Sequence, residues 1–196
     1  MVGFLIESGV EGKSILEVGG GIGGLHMELL REGAAHVTNV ELSNGYEAVA
    51  AELLEEKGYT DRVDRRLGDF TEVGVDLRAD FVVMNRVVCC YPDMPKLIGA
   101  ATRSSRRFVA ASFPRDRLAA KITVGLGNLY CRARSIDFRG FVHPTADIMA
   151  TARESGFVTA FTDQDFTWNA MVFERAEAAR PTIQVVPAVS SERIGD

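Results

Sequence analysis

Residues Ser14 to Gly24, SILEVGGGIGG, constrain the fold more than any other stretch. Ser14 to Val18 is an apolar run of strand length, and it stops at five glycines spread over six positions, interrupted only by Ile22. Such a run predicts a strand, a tight turn and a helix beginning near Ile22. Glycine admits positive φ in the turn and puts no Cβ between backbone and ligand, so the first amides of the helix can face a nucleotide-like molecule.

Two ligand chemistries fit the glycines. Gly19, Gly21 and Gly24 satisfy G-x-G-x-x-G, the dinucleotide pattern, whereas Glu17, Gly19, Gly21 and Gly23 satisfy an acidic-x-G-x-G-x-G pattern used for S-adenosylmethionine. Glu17 helps to separate them. A carboxylate at the end of the first strand would face the pyrophosphate of NAD, and like charges there repel. S-adenosylmethionine carries a sulfonium and an ammonium group instead.

Downstream, strands and helices alternate. Strands are expected at His36–Val40, Arg62–Leu67, Ala79–Met84 and Phe108–Ser112, with helices closing at Gly33 and Gly58 and another over Pro92–Thr102. The nearly all-apolar fourth strand suits a parallel strand covered on both faces. Arg115–Arg134 predicts a helix with a stripe at Leu118, Ile122, Leu126 and Tyr130, and Thr145–Glu154 another. Phe157–Phe161 and Thr167–Glu174 form a closing hairpin. The expected fold is α/β: a Rossmann-like, doubly wound sheet built of right-handed crossovers. Residues 1–176 form one domain, and 177–196 have the composition of a flexible tail.

In an open sheet of this kind, ligands bind beyond the carboxyl ends of the strands. The residues found there are Glu17 with the glycines, Glu41, Asp69 with Phe70, and Asn85 with Arg86. Glu41 suits the ribose hydroxyls, and Asp69 suits the exocyclic amine of adenine with Phe70 beside the ring.

The sequence resembles the class I S-adenosylmethionine-dependent methyltransferases over about Lys13 to Glu174. The resemblance rests on ILEVGGGIGG, NVELS around Glu41, GDF at Gly68 to Phe70, and WNAMVFER. It implies seven strands, with the last inserted strand antiparallel in the C-terminal hairpin. It also implies S-adenosylmethionine as cofactor, held by Glu17, Gly19, Gly21, Gly23, Glu41, Asp69, Phe70 and Asn85. Gly20 stands where the family usually has a small polar residue or cysteine. FVVMNRVVCCYP and FVAASFPRD are similar to segments of the magnesium-protoporphyrin methyltransferases, which esterify a propionate.

The expected reaction is methyl transfer to a small-molecule acceptor, at oxygen. Nucleic-acid bases are disfavoured, because Asn85-Arg86-Val87-Val88 lacks the Pro-Pro-aromatic element of amino-directed enzymes and neither Cys89 nor Cys90 follows a proline. A net charge of −5 argues the same way, although residues 101–140 carry a local surplus of +7 that suits an anionic acceptor. Candidate catalytic and substrate residues are His143 as base, with Arg86 and Tyr91 lining the acceptor space. His26 and His36 are expected to point elsewhere, and both adjacent cysteines to be small core residues. No metal site and no membrane span are expected, and three cysteines without a disulfide framework suit the cytoplasm. Only 13 residues precede Ser14, so the acceptor space is expected to be open, closed by Arg115–Phe141, or completed by a second copy in a homo-oligomer. Two rival readings remain: a non-catalytic S-adenosylmethionine-binding subunit and an NAD-dependent oxidoreductase.

Overall fold

A computed structural model describes residues 1–176. The predicted tail from residue 177 lies outside them. The strands are β1 Ser14–Val18, β2 His36–Glu41, β3 Val63–Leu67, β4 Ala79–Asn85, β5 Ser105–Pro114, β6 Phe157–Gln164 and β7 Trp168–Arg175. They form one seven-stranded sheet in the order β3-β2-β1-β4-β5-β7-β6. Strands β1 to β5 are parallel, and β7 inserts between β5 and β6, antiparallel to both. The helices are α1 Val2–Glu7, α2 Gly24–Arg31, α3 Glu47–Lys57, α4 Phe70–Val73, α5 Met94–Ser104, α6 Leu118–Ala133 and α7 Thr145–Glu154.

Alternation along β4 and β5 builds two cores. Val82, Met84, Val109 and Ala111 pack against Leu97 and Ile98 of α5 and Ile148 and Ala152 of α7. On the opposite face, Phe81, Val83, Phe108 and Ala110 meet Leu5 of α1 and Leu29 and Leu30 of α2. A side-chain period of two sends neighbours to opposite faces, so a strand buried on both sides must be apolar throughout. The order in which strands are added reverses between the parallel neighbours β1 and β4, and a cleft opens there at the carboxyl ends.

Two elements depart from expectation. The helix after the glycines starts at Gly24 rather than near Ile22, because Gly19, Gly21 and Gly23 all hold positive φ and the chain cannot enter the α region until it has passed them. The stripe on α6 faces solvent: Leu118, Ile122, Leu126 and Tyr130 are all more than half exposed, and no residue of the helix is buried. Both faces of the sheet are already covered, so α6 lies outside the layers and turns Val124 and Asn128 toward Gly140.

Asp80 fastens the start of β1 to β4. Its carboxylate accepts from the Ser14 amide at 2.9 Å and the Ser14 hydroxyl at 2.7 Å. Burial acts to raise the Asp80 pKa, but these donors outweigh it and hold the carboxyl below its ordinary value of 3.8. A depressed carboxyl stabilises the fold above the unfolded value and loses that contribution as pH falls through the folded one. Asp80→Asn is therefore expected to cost about 1 kcal/mol at pH 7. The difference from the parent should narrow in urea unfolding below pH 3.8; a gap that widens in acid would refute this account.

Candidate functional site

The cleft is built by the loops that follow β1, β2, β3 and β4. Gly19 has φ +66°, and a Cβ there would stand 2.6 Å from a Val87 methyl group, so the loop after β4 packs directly on the backbone after β1. At Gly21, with φ +56°, a Cβ would meet no atom within 4 Å. The space on that side is the cleft itself, of about 730 Å3, lined among others by Gly19, Gly21, Glu41, Asp69, Phe70, Arg86, Tyr91 and Phe141.

Glu41 holds the loop. One carboxylate oxygen accepts from the Gly21 amide and the other from the Ser43 amide, each at 2.9 Å. Both oxygens keep lone pairs for hydroxyl donors in the cleft. Arg65 on β3 adds a strut the sequence reading did not find, donating to the Gly21 carbonyl at 3.0 Å and pairing with Glu47 at 2.6 Å. No spacing signals it, because Gly21 after β1, Glu47 on α3 and Arg65 on β3 meet only in the folded chain.

Glu17 is not where the motif suggests. It is buried beneath the glycine loop, and its carboxylate lies 2.5 Å from Nδ1 of His26, which is fully buried there and, as expected, lines neither cavity. The carboxylate faces inward because α2 delivers His26 directly under the loop. Asn39 completes this layer and donates to the Glu17 carbonyl at 3.4 Å. The layer also accounts for Gly20. A Cβ there would collide with the Asn39 amide nitrogen and come within 2.5 Å of the Glu17 carboxylate. Gly23 caps α2 beside His26 and does not line the cleft.

Asp69 caps α4, accepting from the Thr71 amide and hydroxyl at 2.8 Å and from the Tyr91 hydroxyl at 2.9 Å. Burial works against its ionisation, but the Thr71 and Tyr91 donors prevail and lower its pKa. Tyr91 is raised, first by burial and then by its place beside Asp69. Its hydroxyl therefore stays protonated and orients the carboxylate.

Asn85 lies in a neighbouring cavity rather than in the cleft. That cavity, of about 200 Å3, is lined by Asn85, Arg86, Ser112, Asp163, Trp168 and Asn169 among others. Asn85 accepts from the Ser112 hydroxyl at 2.6 Å, and the same hydroxyl accepts from the Arg86 amide at 2.9 Å. Arg86 has φ +60°, lies 4.8 Å over the Trp168 ring and lines both cavities. It is the residue that joins them.

His143 lines neither cavity. Its Nε2 is 2.9 Å from the Tyr91 carbonyl, which can only accept, so that nitrogen carries the proton, and the ring stacks on Phe141. His143 thus supports the Tyr91 turn, while Phe141 of the same loop lines the cleft.

The adjacent thiols also differ from expectation. Cys89 is half-buried, but Cys90 is exposed and lines the cleft, with the two sulfurs 3.6 Å apart. Donation from Cys89 favours the Cys90 thiolate against the opposing effect of burial and lowers its pKa to about 7. The same contact, together with burial, pushes Cys89 well up. Alkylation by iodoacetamide is expected to be fastest at Cys90, with its rate rising through pH 7, because the thiolate is the nucleophile. Peptide mapping of pH-dependent labelling checks this, and a midpoint at the ordinary thiol value of 9.0 would contradict it.

Residues 15–107 match a family model described as a methyltransferase domain. No curated protein matches the chain in sequence. Among solved structures, magnesium protoporphyrin IX methyltransferase from Synechocystis PCC 6803, with bound SAH, superposes with TM-score 0.73 at 20% identity, covering 89% of this chain and 80% of that one. An O-methyltransferase family protein from Burkholderia thailandensis gives TM-score 0.71 at 17% identity, over 90% of this chain and 55% of that one. The cyclase SpnF gives TM-score 0.70 at 14% identity, over 89% and 79%. At such identities the shared property is the fold, and the cyclase illustrates that one fold can carry different reactions.

Proposed function

We infer that residues 15–107, which match a methyltransferase domain model, bind S-adenosylmethionine, the ligand of a neighbour that shares the fold. The chain transfers a methyl group to a small-molecule acceptor, and we propose that the receiving atom is an oxygen already carrying negative charge. The observation that supports this most is Arg86, whose position between the large cleft and the small cavity gives an anionic acceptor a partner beside the cofactor space.

The residues present fit the cofactor. Gly21 leaves open space on its Cα, Glu41 offers acceptors for ribose hydroxyls, and Asp69 with Phe70 offers an acceptor beside an apolar wall for adenine. In this assignment Gly19 and Gly21 admit the ligand. Glu17, Gly23 and Asn85 act from outside the cleft, Glu17 by orienting His26 and Asn85 through Ser112. The dinucleotide alternative fits less well. The Gly21 amide, which would meet a pyrophosphate, already donates to Glu41, and a phosphate there would face that carboxylate.

The cofactor supplies a methyl group on a sulfonium, activated for in-line displacement. The protein's part is then mainly placement of the acceptor atom. None of the three histidines lines either cavity: His26 is buried, His36 lies at the amino end of β2, and His143 is held by a carbonyl. A carboxylate acceptor needs no base, because its proton has already left at neutral pH, whereas a phenol would need one. Arg86, held by Trp168 and through its amide by Ser112, binds the anion and orients it.

Isothermal titration with S-adenosylmethionine, S-adenosylhomocysteine and NADH tests the cofactor assignment. The first two should bind and NADH should not. Binding of NADH alone would overturn it. An acceptor screen of carboxylic acids, phenols and neutral alcohols then tests the acceptor class; turnover of neutral alcohols alone would overturn the anionic oxygen.

A further inference from the structure

Cys89 and Cys90 occupy a short 3-10 turn, Val88–Cys90, directly after β4. In an extended chain adjacent side chains point to opposite sides, so two neighbouring thiols ordinarily diverge. Here they converge. Arg86 leaves the strand with positive φ, and both sulfurs face its carbonyl, at 3.4 Å and 3.7 Å. The turn is fixed at each end: the Cys90 amide donates to the Val87 carbonyl at 2.8 Å, and the Phe141 amide donates to the Cys89 carbonyl at 2.7 Å.

A sulfur–sulfur separation of 3.6 Å is far from the ~2.05 Å of a disulfide. It is close to the span of roughly 3.5 Å set by one pyramidal atom bonded to two sulfurs at about 2.3 Å with an angle of about 100°. The rest of the coordination shell decides which atom suits. Among the described residues no three His, Cys, Asp or Glu side chains converge. A metal that needs four protein ligands is therefore unsupported here, whereas a trivalent centre that brings its own third substituent needs only the two thiols.

We propose that Cys89 and Cys90 form a chelating site for trivalent, thiophilic ligands of the organoarsenical class, at the edge of the cofactor cleft. With an arsenoxide, the two S–H bonds and the arsenic–oxygen double bond break. Two sulfur–arsenic bonds form, and the oxygen leaves as water with both thiol hydrogens. Arsenic remains trivalent, and no oxidant or reductant takes part. Because Cys90 lines the cleft beside Tyr91 and Phe141, the organic substituent occupies that space and opposes cofactor binding.

The test uses the full chain and phenylarsine oxide. Intact-mass measurement should show one phenylarsenic group per chain, with two thiols lost, released by excess 2,3-dimercaptopropanol but resisting a monothiol. Affinity should fall on the order of a hundredfold in Cys89→Ser and in Cys90→Ser, since the second thiol attaches intramolecularly at high effective concentration. Cys131→Ser should behave as the parent. Undiminished binding in Cys90→Ser, whose exposed side chain poses little folding risk, or equal release by monothiols would overturn the chelate. Phenylarsine oxide should also weaken S-adenosylhomocysteine binding, and reciprocally. Unchanged affinity would overturn the placement at the cleft. Failure of the untreated protein to bind S-adenosylhomocysteine would instead refute the cofactor assignment, leaving the thiol stoichiometry to decide the chelate separately.

Discussion

Replacing Glu17 with alanine is expected to destabilise the protein by about 1–3 kcal/mol, the cost of leaving a buried hydrogen-bonding partner unsatisfied. His26 would then keep neither of its nitrogens satisfied, since its Nε2 already lacks a hydrogen-bond partner. The Asn39 side-chain oxygen is unpartnered in the same layer. Glu17→Gln preserves the volume and one acceptor and should cost markedly less. Because Glu17 lies under the loop and outside the cleft, the glutamine variant should bind S-adenosylmethionine within about threefold of the parent, a difference under 1 kcal/mol. Urea unfolding and calorimetric titration separate the two effects. A stable Glu17→Ala protein with greatly weakened cofactor binding would mean that Glu17 contacts the cofactor after all.

Glu41→Ala should show the opposite pattern. Its carboxylate orders the glycine loop through the Gly21 amide and the following turn through the Ser43 amide, and faces the cleft where ribose hydroxyls are assigned. Hydrogen bonds to a charged acceptor contribute about 1.5–3 kcal/mol each. Losing those to the ligand, together with the ordering of the loop, should weaken S-adenosylmethionine binding by about a hundredfold, near 2.7 kcal/mol. Stability should fall less than in Glu17→Ala, because water can reach the vacated amides at the cleft surface. Titration of both variants under one set of conditions gives the comparison. An affinity for S-adenosylmethionine within about threefold of the parent would remove Glu41 from the site.

These two acids show where sequence reasoning succeeds and where it stops. Both stand at strand ends in the proper order, and the glycine pattern made Glu17, and the end of the second strand made Glu41, a cofactor residue. Order along a doubly wound chain fixes which strand end a residue occupies, but not whether its side chain turns toward the cleft or beneath the loop. For Glu17 that choice is made by His26, nine residues on and one helix away, which offers a nitrogen at 2.5 Å. For Glu41 it is made by two backbone amides that face the cleft. His143 failed for a related reason. A histidine before a capped helix looks available in sequence, yet its Nε2–H donates to the carbonyl of Tyr91, 52 residues earlier.

The sequence by itself determined a doubly wound, mainly parallel α/β sheet with a closing hairpin, because period, glycines and caps are local signals and right-handed crossovers leave few topologies. It also determined the glycine loop and the acids beside it. Only the tertiary structure decided that Arg86 joins two cavities, that Arg65 buttresses Gly21, that the apolar stripe of α6 faces outward, and that two adjacent thiols converge at the cleft. Each of these depends on a distance between segments remote in the chain, or on a φ value outside the range its residue type prefers, and no local pattern of residues encodes either.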